Sequence, residues 1–222
     1  MRPFRIAVLA SGRGSNLHAL IDAVKSGQLH AEIVGVFSDK PDCGAIALAK
    51  QHAILALALR PKDFPSREAF DGTLFSLVAA VQPDLIVCAG YMRIISESAV
   101  RQFEGRMINI HPSLLPKHPG LATHARALAA ADTEHGASVH LVIPALDAGP
   151  VLAQARVAVR TDDTPESLAR RVLAREHPLL VQSVIWLAEH RASIHGTEFR
   201  LGGHPVSTPL LLNDTNQLEE IH

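Results

Sequence analysis

Strand-length apolar runs alternate with helical patterns along the first half of the chain, and this alternation limits the fold more than any other feature. Ile6–Leu9, Ile33–Phe37 and Leu85–Cys88 are continuously apolar, as parallel strands are when helices cover both faces. Between them, Leu17, Leu20, Ile21 and Val24 recur at helical spacing. Phe70, Leu74, Leu77 and Val78 behind Arg67 do the same, and a helix is expected through Ile46 and Leu48. A short strand is expected near Leu55–Leu59 and a helix over Ser96 to Phe103. The order predicts an α/β fold with a mostly parallel central sheet and helices on both faces.

The second half continues less regularly. Lys117 to His124 reads as a loop, followed by an alanine-rich helix up to Ala131. Ser138 to Ile143 alternates, with Val139, Leu141 and Ile143 against Ser138, His140 and Val142. Asp147-Ala148-Gly149-Pro150 is a turn, and Val151 to Val159 is a further strand. Thr164-Pro165 places a capping hydroxyl before a proline at the first helical position. The helix behind it carries Leu168, Val172, Glu176, Leu179 and Leu180, and Pro178 is expected to kink or split it. A length of 222 residues suits one domain, expected over 1–193, with 194–222 as a C-terminal tail or short hairpin.

The bulk numbers exclude several classes of partner. A net charge of −1 gives no pull toward nucleic acid or a membrane surface. No apolar run reaches the length of a membrane span. Cys43 and Cys88 read as free thiols of a reducing compartment. The start lacks the pattern of a secretory leader, so a cytoplasmic location is expected.

Two stretches carry chemistry. The first is Met107-Ile-Asn-Ile-His-Pro-Ser-Leu-Leu-Pro116. Along a strand, Asn109 and His111 point to one face while Ile108 and Ile110 anchor the other. Pro112 ends the ladder because it has no N–H. Two polar groups then stand at a strand end, where open α/β sheets bind ligands. The second is Ser11-Gly12-Arg13-Gly14-Ser15-Asn16, between a strand and a helix. Such a turn aims backbone N–H groups and the helix dipole at an anion. Its spacing fits neither a dinucleotide nor a nucleoside triphosphate loop. One small phosphate and an ordinary capped turn, with Ser15 or Asn16 as cap, both fit.

Asn109, His111 and Asp147 together suggest a reaction. An amide N–H and an imidazolium both stabilise an oxyanion. A nearby carboxylate raises a histidine's pKa and keeps it charged. No serine or cysteine sits in a nucleophile motif, so the attacking group would come from a substrate. Thirteen histidines invite a metal, but neither His-Glu-x-x-His nor Cys-x-x-Cys occurs, and no metal is expected.

Four motifs occur in order: Ser11-Gly-Arg-Gly-Ser-Asn-Leu17, Ala89-Gly-Tyr-Met-Arg-Ile-Ile-Ser96, Asn109-Ile-His-Pro-Ser-Leu-Leu-Pro116 and Asp147-Ala-Gly-Pro150. In these the chain, from about Arg5 to about Glu189, resembles the folate-dependent phosphoribosylglycinamide formyltransferases. The resemblance implies a Rossmann-like formyltransferase fold. It also implies formyl transfer from 10-formyltetrahydrofolate, as co-substrate and without a metal, to glycinamide ribonucleotide. It assigns Asn109 and His111 to the formyl oxygen and Asp147 to keeping His111 protonated and moving the amine's proton. Gly14, Ser15 and Asn16 would hold the ribose phosphate, and Glu176 a ribose hydroxyl. Arg67 would face the folate, Met92, Arg93, Ile94 and Ile95 would line its pterin pocket, and the loop from Leu141 to Asp147 would offer it backbone groups. The partners implied are these small molecules, with no nucleic acid and no membrane, for a monomer or homodimer.

Three positions depart from that family. Relatives often carry histidine where Ala122 stands, an aromatic where His118 stands and glutamine where Leu173 stands. Two rivals share parts of the pattern. One is another folate enzyme, a formyltetrahydrofolate hydrolase or a formyltransferase acting on methionyl-tRNA, for whose extra domains the chain is expected to have no room. The other is a nucleotide-binding module that keeps only the glycine loop.

Overall fold

The computed structural model describes residues 2–220. The elements run β1 (Phe4–Leu9), α1 (Ser15–Lys25), β2 (Ala31–Ser38), α2 (Gly44–Gln51), β3 (Ala56–Ala58), α3 (Arg67–Ala80), β4 (Leu85–Cys88), α4 (Glu97–Gln102), β5 (Met107–His111) and α5 (Thr123–Ala129). There follow β6 (Glu134–Leu141), β7 (Val151–Ala158), α6 (Pro165–Ala188), β8 (Ala192–His195), β9 (Glu198–Leu201), β10 (His204–Pro205), β11 (Leu210–Leu212) and β12 (Leu218–Glu219). Nine strands form one sheet in the order β12-β11-β7-β6-β5-β4-β1-β2-β3, and β8–β10 form a second, three-stranded sheet.

β3, β2, β1, β4 and β5 are all parallel. Their core alternates between two faces. Ile6 and Val8 of β1, Leu85 and Val87 of β4, and Ile108 and Ile110 of β5 pack in one cluster with residues of α1, α2 and α6. Ala7, Leu9, Ile86, Cys88 and Met107 pack in the other with Phe70, Leu74, Phe75 and Val78 of α3. Asn109 and His111 therefore share the α3 side with Met107, as their spacing predicted.

The strand order turns back at β1, which lies between β2 and β4. At that edge Ser11 N–H donates to the Gly90 carbonyl at 3.0 Å, so the loops after β1 and β4 meet. Past β5 the sheet becomes antiparallel. β6 starts at Glu134 and ends at Leu141, earlier at both ends than the alternation from Ser138 to Ile143 suggested. His135 through Leu141 are all buried, because β6 is an interior strand covered on both faces.

Two expectations change on the C-terminal side. Pro178 does not split α6, which runs unbroken for 24 residues. The bond its missing N–H forfeits is outweighed by burial of Leu168, Val172, Leu179, Leu180 and Val184. Residues 192–205 form a small antiparallel sheet, which agrees with the short-hairpin alternative, and what changes is the boundary expected at 193/194, which falls inside β8. β11 then returns to the main sheet parallel to β7, with Leu210 and Leu212 buried. Arg175 of α6 fastens this return by donating to the Leu212 and Asn213 carbonyls. Met1, Ile221 and His222 lie outside the described residues.

Candidate active site

Register brings the first polar pair together. Asn109 of β5 is the cross-strand partner of His140 of β6, so their side chains share a face. Asn109 Nδ2 lies 3.0 Å from His140 Nε2, and His140 Nδ1 lies 3.0 Å from the Leu141 carbonyl. A carbonyl only accepts, so Nδ1 carries a proton. Nε2 then accepts from the Asn109 amide, whose second N–H is left for a ligand.

His111, at the carboxyl end of β5, has both ring nitrogens engaged. Nε2–H donates to the His118 carbonyl at 3.0 Å, and Nδ1 lies 3.5 Å from Asp147 Oδ2. Both side chains are 8% exposed. Asp147 sits in the left-handed region at φ 49°. It accepts the Gly120 N–H at 2.8 Å, and its Oδ1 lies 3.6 Å from His140 Nε2. The loop carrying Asp147 is drawn in at Gly149, where a Cβ would stand 1.8 Å from the Leu141 carbonyl oxygen. Only glycine permits that approach.

Charge in this cluster departs from the sequence expectation. Burial lowers the His111 pKa below its ordinary value, and the His118 carbonyl and Asp147 recover only part of it. Asp147 brings the two side chains together without raising the imidazole above its usual range, because desolvation is the larger effect. Burial pushes the Asp147 carboxyl up, but the Gly120 N–H that it accepts and the neighbouring histidines outweigh it and hold it below its ordinary value.

A pocket opens beside these groups. Asn109, His140 and Asp147 line it together with Arg93, Ile94, Ile95 and the loop from Val142 to Leu146. Arg93 also stacks over the Phe70 ring, 5.0 Å from its centroid. Met92 is 65% exposed and does not line the pocket. Arg67 begins α3 and pairs with Glu68 at 3.5 Å, and it too lies outside that lining.

The glycine loop forms a second cradle. Gly14, not Ser15 or Asn16, is the N-cap of α1. Its φ of +85° suits glycine, and a Cβ there would stand 2.9 Å from Ala45 Cα. The first-turn N–H groups of Ser15 and Asn16 are thus open to an anion. Asn16 Nδ2 donates to Glu176 Oε2 at 3.0 Å, while Asn16 Oδ1 is buried without a partner among the described residues. Burial raises the Glu176 carboxyl above its ordinary value, and the Asn16 N–H offsets this in part. Leu173 lies one helical turn from Glu176 and is partly buried.

Ser11 ties the two half-sites. Its hydroxyl donates to Asp39 at 2.6 Å and accepts the Met92 N–H at 2.9 Å. Sequence reasoning missed Ser11 and His140. The signal for His140 was present, since it shares a parity with Ser138 in the alternating strand. Among the described residues, no group of three or more His, Cys, Asp or Glu is arranged to hold a metal ion, and no helix is long and apolar enough to cross a membrane.

A family profile described as formyl transferase matches residues 4–184. The chain belongs to the formyl transferase family. Phosphoribosylglycinamide formyltransferase of Escherichia coli K12 is 43% identical to it over 198 residues, covering 89% of this chain and 93% of that one. The solved structure of phosphoribosylglycinamide formyltransferase from Coxiella burnetii superposes with a TM-score of 0.87 at 46% identity, covering 92% of this chain and 96% of that one. The chain is a member of this branch of the family. A formyltetrahydrofolate deformylase from Pseudomonas syringae shares the fold more distantly, with a TM-score of 0.82 at 27% identity, covering 90% of this chain and 66% of that one.

Proposed function

We propose that this formyl transferase family member moves the formyl group of 10-formyltetrahydrofolate onto the amine of glycinamide ribonucleotide. The observation that carries the reading is the meeting of Asn109, His111 and Asp147 beside one pocket, with the Gly14–Asn16 cradle and Glu176 supplying a second substrate's site. The pocket over Arg93–Ile95 and the Val142–Asp147 loop takes the pterin, and Arg67 and Met92 take the outer part of the folate from the rim. Ser15 and Asn16 hold the ribose phosphate, and Glu176 accepts from a ribose hydroxyl.

The amine nitrogen attacks the formyl carbon, and the carbonyl electron pair moves onto its oxygen. The free N–H of Asn109 meets that oxygen as charge develops, and His111 Nε2–H joins it by exchanging the His118 carbonyl for the oxyanion. The growing negative charge favours the imidazolium, supplying what Asp147 alone does not supply in the resting site. Asp147 accepts the proton lost by the amine, directly or through one water. The oxyanion's electron pair re-forms the carbonyl as the carbon–N10 bond breaks, N10 takes the proton that Asp147 accepted, directly or through the same water, and tetrahydrofolate leaves. No bond to the protein forms, which fits the lack of a marked nucleophile.

One assay tests this. The protein is mixed with 10-formyltetrahydrofolate, with and without glycinamide ribonucleotide, and loss of the formyl group is followed. Turnover that depends on the nucleotide is expected. Equal turnover without it would make the chain a hydrolase, and no turnover would reduce it to a binding module. A soluble cytoplasmic enzyme, monomeric or homodimeric, acting on small molecules alone, is the matching physiological reading.

A further inference from the structure

His118 and Asp132 form a clamp that reaches the catalytic groups through the backbone. His118 Nε2 lies 2.6 Å from Asp132 Oδ2, and the two side chains are only 13% and 12% exposed. Lys117 Nζ meets the other oxygen, Asp132 Oδ1, at 2.8 Å. His135 packs edge-on against the His118 ring, with centroids 6.1 Å apart. From this anchored stretch the His118 carbonyl accepts His111 Nε2–H, and two residues on the Gly120 N–H donates to Asp147. Residues 118–120 therefore hold both members of the His111–Asp147 pair, one by an acceptor and one by a donor.

The hold is conformationally demanding. His118 has φ 53°, Gly120 has φ 78° and Ala122 has φ 56°. Three left-handed residues in five make an irregular path, and L side chains rarely adopt that region. A histidine there needs side-chain contacts that fix it, and the Asp132 carboxylate provides one. Ser113 Oγ adds another by donating to the Lys117 carbonyl at 2.7 Å.

We propose that Asp132 is a positioning residue for the formyl transfer: through His118 it fixes the backbone of residues 118–120, and so the placement of His111 and Asp147. It touches neither substrate nor reacting atoms. The proposal rests on the transfer reading for its kinetic part and on geometry alone for the rest.

The test uses Asp132→Asn and His118→Gly in the full chain. Asparagine keeps the shape and removes the charge. Glycine keeps the carbonyl and tolerates the positive φ, so it removes only the side-chain anchor. With both variants folded by thermal melting, kcat should fall about tenfold while KM for both substrates stays within about twofold, as expected when catalytic groups are misplaced but substrate contacts remain. Asp132→Glu, which restores a carboxylate, should recover part of that loss. The second readout is the ring nitrogen signals of His111 in the free protein labelled at histidine, assigned by their loss in His111→Gln. They should shift in both variants. Because no substrate is present, this readout holds even if the wild-type chain transfers no formyl group. Unchanged His111 signals in both folded variants would overturn the proposal. So would a rise in KM with kcat intact.

Discussion

Asn16 and Glu176 are separated by 160 residues, yet the Asn16 amide donates to the Glu176 carboxylate at 3.0 Å in a buried position. α1 and α6 are thus joined by a polar bond on the core side of the helices. The carboxyl is held above its ordinary pKa by burial. The sign follows from linkage: its contribution is fully present below the unfolded value near 4.5 and is lost as pH rises through the folded value. At neutral pH the buried carboxyl of Glu176 is a cost that ligand binding repays. Glu176→Gln should therefore raise Tm by about 2–4 °C at pH 7.5, with the gain vanishing below pH 4.5, while KM for glycinamide ribonucleotide rises. Scanning calorimetry across pH with parallel kinetics checks both. An equal or lower Tm at pH 7.5 would contradict the account.

Asp147→Asn keeps an acceptor for the Gly120 N–H but removes the charge beside His111. The carboxylate is one of the influences that raise the His111 pKa, so its loss lowers that value further. The limb of the pH–rate profile that reports the imidazole should move to lower pH. Turnover should drop by about two orders of magnitude, the scale of losing a positioned proton acceptor. A parallel profile, merely scaled down, would separate Asp147 from His111.

Histidine burial should make the fold acid-sensitive. His135 is 1% exposed, and burial, with His124 and His118 beside it, brings its pKa from 6.5 to about 4. His111, His124 and His177 are lowered too, each first by burial. The unfolded chain binds these protons more readily, so the stability they leave intact above about pH 6.5 is lost as pH falls toward 4. His135 alone accounts for at most about 3 kcal/mol of that loss. His135→Gln should flatten the fall in denaturation free energy between pH 6.5 and 4. A slope identical to wild type would show that the imidazole is not buried neutral.

Gly14→Val places a branched side chain at φ +85° with its Cβ 2.9 Å from Ala45 Cα. The turn must shift, and the first-turn N–H groups of α1 shift with it. Affinity for the nucleotide should fall at least tenfold, about 1.4 kcal/mol, while affinity for the folate changes little. Calorimetric titration with each ligand separates the two. Equal losses would move the phosphate site elsewhere.

Legibility in the sequence followed physical locality. β1, β2 and β4 were readable because burial on both faces leaves uninterrupted apolar runs, and in β5 the parity of Asn109 and His111 followed from strand geometry. Contacts that depend on a loop's path were not readable. His118 and Asp132 are 14 residues apart, and nothing in periodicity brings them within 2.6 Å. The direction in which the His111 pKa moves was not readable, because a sequence displays the carboxylate at 147 but not the desolvation around it. Gly14 as cap was obscured by the better capping residues beside it. β10, β11 and β12 are two or three residues long, too short for alternation to register.

The seating of β11 along β7 has a practical consequence for handling this chain. β11 covers the outer ladder of β7 at Ala153 and Gln154, and Leu210, Leu212 and Leu218 seal the core beneath it. A version trimmed at residue 193 would leave an unguarded hydrogen-bonding margin next to bare leucine-sized hollows, an invitation for neighbouring molecules to pair strand to strand. Such a fragment would be expected to precipitate before its chemistry was lost, and shortening the protein to its recognisable catalytic portion would mislead about its solubility.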